Sequence, residues 1–354
     1  MNEFNDTTLP DNIILRTKPT AQHTRGPQRH TLIYFIPGNP GLISYYRSFL
    51  SHLQSQLQPL TDATGTLFTI AGHSLAGFHL SPTTPTATPI DKQARLPLNL
   101  QQQIADVEAR LALTIVSLSN ADKITDTILI GHSVGAYILM SLLSRRHHHH
   151  HHQKPPPIPI SSTISLFPTI TDLHLSPSGR KAQPLAHLPL LSHLIHTLAR
   201  LLTALLPLHT LTALITRLTA HPPPAAHVTA AFLRSATGVR QAVFLAQHEL
   251  LEMRGDEWAD DVWGTATTTE PQTQLYFLYG AHDHWIADAT RDALIANRVG
   301  TEHRRGPRME VDFTEGLPHD FCVWEGCSSV VAGKVGGYVR EVFGTGEGGG
   351  GGEG

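Results

Sequence analysis

The sequence predicts the α/β class: a mostly parallel central sheet with helices on both faces. Three observations carry this. Short runs rich in β-branched and aromatic residues, such as Thr31–Ile36 and Leu275–Tyr279, read as strands buried on both sides. Longer segments place apolar residues three and four apart; Ile104, Val107, Leu111 and Ile115 share one helical face between Leu98 and Leu118. The two kinds alternate along the chain, which makes the helices crossovers between parallel strands. With 354 residues, 40% of them hydrophobic, the chain is long enough for a sizeable core, in one large domain or two.

Taken in order, residues 1–11 read as a loose lead and Asn12 to Thr17 as a first strand. Residues 19–30, polar with Gly and Pro, form a turn. Residues 1–30 are therefore a lead to a main domain at 31–343. Thr31–Ile36 is a strand stopped by Pro37-Gly38, Tyr45 to Gln58 a helix, and Leu67 to Ala71 a strand. Residues 81–91 are a Pro/Thr-rich loop, and Leu98 to Leu118 is a helix. Thr127–Ile130 is a strand running into Gly131-His132-Ser133-Val134-Gly135, after which Ala136–Met140 begins a helix. Arg145, Arg146, six histidines (147–152) and a Pro-rich stretch suggest a low-complexity loop over 146–160. Thr163–Phe167 returns to strand. A helical lid is expected at 180–225. Leu275–Tyr279 and Met309–Phe313 are strands flanking a helix near Ile286–Arg298. Ser329–Phe343 is a final helix, and the Gly/Glu-rich tail 344–354 is expected to be disordered.

Composition narrows the function. Charged residues are 16% of the chain and the net charge is −3 with His neutral; no basic stripe interleaved with aromatics is present, so no nucleic-acid partner is expected. Two cysteines, Cys322 and Cys327, are too few for a disulfide framework and point to a reducing compartment. The polar, acidic start carries no pattern of a cleaved secretory signal.

A G-x-S-x-G turn between strand and helix lifts a serine hydroxyl out of the sheet, and its glycines let strand and helix approach closely. Ser133 is thus a candidate nucleophile, with Gly131, His132 and Gly135 forming the turn. Such a serine needs a base and a carboxylate, in the chain order Ser, acid, His. Asp283, past the strand Leu275–Tyr279, and His319, past the strand ending at Phe313, fit that order; Phe321 is placed to pack beneath the His loop. Asp288 is the nearest rival acid. Two backbone N–H donors are needed for the oxyanion. Val134 supplies one; in Pro37-Gly38-Asn39-Pro40-Gly41 the other falls to Asn39, since Pro40 has no N–H. Gly72-His73-Ser74-Leu75-Ala76-Gly77 mimics the turn, but a Pro/Thr-rich stretch follows it in place of a helix. Ser74 is therefore a poor nucleophile, though its segment is a candidate for lining the pocket. Consecutive histidines do not make a preorganised tetrahedral site, so no metal or other cofactor is expected.

Pro37-Gly38-Asn39-Pro40-Gly41 with Tyr45, Tyr46 and Phe49, the Gly131–Tyr137 stretch, Leu166–Ile170 with Ser176–Gly179, and Tyr279–Trp285 with the His319 loop together resemble the lipid droplet-associated serine hydrolase family, from about residue 30 to about residue 340. The polyhistidine–proline insertion and the Gly-rich tail depart from it. The resemblance implies an α/β-hydrolase fold and action on lipid esters. It places the chain at lipid droplets and the endoplasmic reticulum, on the cytosolic face, with Ser133, Asp283 and His319 as nucleophile, acid and base.

Leu185 to Thr219 carries only Arg200 and Arg217 as charges. Leu190, Leu194, Leu198, Leu201 and Leu205 follow helical spacing, with Ser192, His196, Thr203 and other polar residues opposite; Pro207 divides the segment in two. No uninterrupted apolar run reaches the roughly 20 residues of a spanning helix. Two readings stand: a pair of helices lying on a lipid surface, or a lid that buries the same leucines on its own domain. The functional expectation is an esterase at a lipid surface. The alternatives are a non-catalytic droplet protein and a related acyl transfer or thioester cleavage.

Overall fold

A computed structural model describes residues 9–18, 29–80, 96–119, 123–150, 159–265, 273–299 and 306–344. Most of the expected lead, the 19–30 turn, the 81–91 loop and the Gly-rich tail lie outside the described residues, as do His151, His152 and Pro155–Pro157.

Among the described residues seven strands form one sheet: β1 Asn12–Arg16, β2 His30–Ile36, β3 Leu67–His73, β4 Asp126–His132, β5 Ile160–Leu166, β6 Gln274–Gly280 and β7 Arg308–Asp312. Their spatial order is β1-β3-β2-β4-β5-β6-β7. β1 pairs antiparallel with β3 and every other pair is parallel. The mostly parallel sheet expected from the alternation is what forms. β2 shows how: Leu32, Tyr34 and Ile36 enter the core on one face, Ile33 and Phe35 the core on the other. On the first face lie α2 (Leu100–Ser119), α3 (Val134–His150) and α9 (Asp288–Arg298); on the second, α1 (Arg47–Thr64) packs against α10 (Glu325–Val342). Between β5 and β6 the chain leaves the sheet and, among the described residues, forms five α-helices: α4 Pro177–Ala186, α5 Leu191–Ala204, α6 Leu208–Thr219, α7 Pro223–Arg234 and α8 Gly238–Glu252.

Three sequence expectations need correction. The loop expected to begin at 146 does not; α3 runs on to His150. Histidine is a weak helix former, but each residue added to an existing helix gains a backbone hydrogen bond at no further nucleation cost. The helical insertion continues past 225 through α7 and α8. Pro222 caps α7 and Pro223 and Pro224 open it, in the first turn, where a missing N–H costs nothing. And α1 continues through Pro59 to Thr64, ending where Gly65 turns left-handed at φ 72°.

The crossing of α3 over the sheet depends on a missing side chain. A Cβ on Gly135 would collide with the Ile36 carbonyl oxygen and stand 2.8 Å from that of Pro37. Both obstacles are backbone, so no rotamer change relieves them. Gly135→Ala is expected to cost about 3 kcal/mol or more, seen as a lower urea midpoint at unchanged slope; a shift below about 0.5 kcal/mol would show that helix and strand can part.

Candidate active site

β4 delivers His132 and α3 begins at Val134, so the turn between them is a single residue. Ser133 takes it at φ 54°, a left-handed conformation rarely adopted outside glycine and asparagine. The strained turn is pinned on both sides: the Ser133 N–H donates to the Leu166 carbonyl on β5 (3.0 Å), and the Ser133 carbonyl accepts from the Ala136 N–H (2.9 Å). The hydroxyl emerges at the carboxyl ends of the parallel strands. Ser133 is only 8% exposed.

Asp283 and His319 reach the same rim from β6 and β7. The His319 loop approaches because Gly280 has no side chain; a Cβ there would meet the Leu317 carbonyl at 2.8 Å. Phe321 lies beneath, stacked on Phe167 with ring centroids 5.3 Å apart. Asp283 Oδ2 lies 2.6 Å from His319 Nδ1, and His319 Nε2 lies 2.9 Å from Ser133 Oγ. The second carboxyl oxygen of Asp283 accepts the Trp285 N–H at 2.8 Å. The carboxylate can only accept, so the proton sits on Nδ1 and Nε2 is left to receive the serine proton. Such an arrangement can activate a serine for attack on an acyl carbon.

The rivals fall elsewhere. Asp288 is exposed and pairs with Arg291 at 2.9 Å. Ser74 is buried, its hydroxyl accepting the Ile43 N–H at 3.2 Å. Its segment buttresses the Pro37–Gly41 loop from behind, where the Leu75 N–H donates to the Gly41 carbonyl at 2.8 Å.

That loop is tied down at two points. The Gly38 N–H donates to the Tyr46 hydroxyl at 3.0 Å. The Asn39 amide donates to the Ala242 carbonyl at 3.0 Å and to Glu249 Oε1 at 2.9 Å, both on α8. Val134 is the first residue of α3, so its N–H has no partner one turn earlier in that helix. The Tyr46 hydroxyl donates in turn to His132 Nδ1 at 2.7 Å, and His132 Nε2–H donates to the His319 carbonyl at 2.9 Å. Burial, with His319 beside it, holds the His132 pKa well below the ordinary histidine value, so the ring is neutral. One chain of hydrogen bonds thus joins the Gly38 loop, the serine turn and the His319 loop.

Sequence reasoning treated His132 as a spacer and gave Tyr46 and Glu249 no role. Glu249 falls four residues after Leu245 on one helical face, but that face also carries Gln241, so the spacing does not single it out.

Outside the sheet, α5 is inverted. Ser192 (2% exposed) and Thr203 (6%) face the domain, while Leu194 (66%), Leu198, Leu201 and Leu205 (90%) face outward. The reading in which these leucines are buried on their own domain is therefore not the observed arrangement. Among the described residues no single helix is long and apolar enough to cross a membrane; α5 and α6 form a pair bent by 113°.

Comparison with known proteins gives consistent results. The family profile described as lipid-droplet associated hydrolase matches residues 29–322. The lipid droplet-associated hydrolases of Pongo abelii and Homo sapiens are each 33% identical over 156 residues, 44% of this chain and 42% of theirs. The matched stretch is thus less than half the length of those relatives. The peroxisomal alpha-beta-hydrolase Lpx1 of Saccharomyces cerevisiae superposes with a TM-score of 0.55 at 15% identity, over 94% of this chain and 82% of that one. That likeness is one of fold, and the fold is the α/β-hydrolase fold.

Proposed function

The chain belongs to the lipid-droplet associated hydrolase family, and from that premise we propose that it is a serine hydrolase cleaving carboxylic esters of lipids, sterol esters or acylglycerols, at droplet surfaces. The observation that carries this reading is the unbroken hydrogen-bonded series Asp283–His319–Ser133. Ser133 Oγ attacks the ester carbonyl as its proton passes to His319 Nε2. The N–H groups of Asn39 and Val134 hold the tetrahedral oxyanion, each worth about 3 kcal/mol if they act as such donors do elsewhere. The alcohol leaves with the proton from His319. Water then attacks the acyl-enzyme, with His319 again taking a proton, and the fatty acid departs. Asp283 keeps the imidazole in one tautomer and stabilises its cationic form.

The outward leucines of α5 and α6 support a lipid surface as the place of work, on the cytosolic side of droplets and the endoplasmic reticulum. The same leucines also favour the second reading, a droplet protein that acts without turnover, because they would dock whether or not Ser133 reacts. Two measurements separate the readings. Purified protein mixed with emulsified cholesteryl ester or triacylglycerol is expected to release fatty acid and to be labelled by a fluorophosphonate; binding without release would favour the non-catalytic role. The combined change of Leu194, Leu198, Leu201 and Leu205 to Ser is expected to weaken partitioning onto phosphatidylcholine-coated droplets by about a thousandfold, taking about 1 kcal/mol per partly buried leucine. Unchanged flotation of that variant, with its melting temperature preserved, would place the docking surface elsewhere.

A further inference from the structure

Glu249 is a carboxyl group behind the oxyanion loop, with only 6% of its surface exposed. It comes from α8, far along the chain from that loop, and touches it through Asn39. The geometry of the Asn39 amide is the key. The Ala242 carbonyl can only accept, which fixes the nitrogen of the amide towards α8. One amide hydrogen goes to Ala242 and the other to Glu249 Oε1. The amide oxygen, Asn39 Oδ1, is buried with no hydrogen-bond partner among the described residues. A carboxylic acid beside a primary amide can accept the amide N–H with one oxygen and donate its O–H to the amide oxygen. A carboxylate has no proton to give and offers that oxygen only another lone pair.

The surroundings favour the acid. Burial pushes the Glu249 carboxyl up to about 7, with the Asn39 bond pulling the other way. His248 and Glu252, on its own helix, pair with each other at 2.7 Å. The elements packed against α8 bring Asp106 and Arg110 (α2), which pair with each other at 2.6 Å, Lys181 (α4), His196 and Arg200 (α5), His227 (α7) and His174 (the turn before α4); Arg240 lies on α8 itself, two residues before Ala242.

We propose that Glu249 is a positioning residue for the oxyanion loop and that its neutral form is the active one. The acid completes the pairing that fixes Asn39, whose backbone N–H is the oxyanion donor. The carboxylate both loosens that pairing and sets a negative charge behind a donor that must face a developing negative charge. The inference rests on the esterase reading above. It makes the rate fall as Glu249 ionises, on the alkaline side of the pH profile.

The test uses a water-soluble short-chain ester, so that droplet binding plays no part, and follows kcat and KM from pH 5 to 9 for the wild type, Glu249→Gln and Glu249→Ala. Glutamine is neutral at every pH and can both accept from and donate to the Asn39 amide. In the wild type kcat is expected to fall about fivefold or more between pH 6 and 8.5 with little change in KM; Glu249→Gln should lose that fall, and Glu249→Ala should lower kcat about tenfold throughout. Stability gives an independent reading. A carboxyl raised from 4.5 to about 7 in the fold binds more protons folded than unfolded, so the wild type loses stability as pH rises across that window. Glu249→Gln should therefore melt higher than the wild type above pH 7 and lose the difference towards pH 4.5. A folded Glu249→Gln protein that keeps the wild-type alkaline fall overturns the proposal. A wild type that neither hydrolyses esters nor is labelled by a fluorophosphonate at any pH overturns the esterase reading instead, and this inference with it.

Discussion

Changing Ser133 to Ala is expected to lower ester hydrolysis by about 10⁵–10⁶-fold and to abolish fluorophosphonate labelling. The substitution removes one atom, the Oγ that lies 2.9 Å from His319 Nε2. Loss of that atom leaves no nucleophile and no proton for the imidazole to take. The proposed oxyanion donors, the Asn39 and Val134 N–H groups, stay in place, so a residual acceleration of about 10³–10⁴ over water is expected to survive. The fold should be nearly indifferent: the backbone bonds to Leu166 and Ala136 do not involve the hydroxyl, and alanine pays the same conformational cost at φ 54° as serine. A melting temperature close to that of the wild type with turnover gone is the expected pair of results. Labelling that persists at full rate would move the nucleophile to another residue.

Asp283→Asn is expected to cost about 10⁴ in kcat with KM almost unchanged. The reason lies in the second oxygen. Trp285 presents a backbone N–H to Asp283 Oδ1 at 2.8 Å and needs an acceptor there. An asparagine keeps its carbonyl oxygen towards Trp285 and turns its NH₂ towards His319. The imidazole must then accept at Nδ1, which sends its own proton to Nε2, facing the serine hydroxyl. In that tautomer it cannot take the serine proton. The side chains keep their places and the chemistry stops. Imidazole nitrogen NMR would read the switch directly; an unchanged tautomer together with an unchanged rate would mean that Asp283 does not orient the base.

Much of this site was legible because strand ends are legible. The runs Thr31–Ile36, Thr127–Ile130 and Leu275–Tyr279 are short, apolar and abruptly stopped, and a parallel sheet brings their carboxyl ends to one rim. Topology alone therefore brings Ser133, Asp283 and His319 to one rim. Contacts made through side chains between distant elements carry no such period. Nothing in the spacing says that the Tyr46 hydroxyl binds His132, 86 residues away, or that α8 supplies a carboxyl to Asn39. The helices around Pro222–Pro224 were hidden for a different reason: proline ends a helix or opens one, and the residues before it do not say which. The direction of the leucines on α5 was also beyond reach. Periodicity separates two sides of a helix but does not tell which one meets the domain, and here the small, polar side does.

That inversion bears on how the protein would be rationed. On the proposed lipid-surface reading, leucines turned to water would make the unbound molecule the less favourable one, and an oily boundary the place where it rests. The number of working copies would then follow the area of that boundary rather than the total ester stored beneath it. Many small droplets would be digested faster than one large droplet of the same mass, with no change in the chemistry at Ser133.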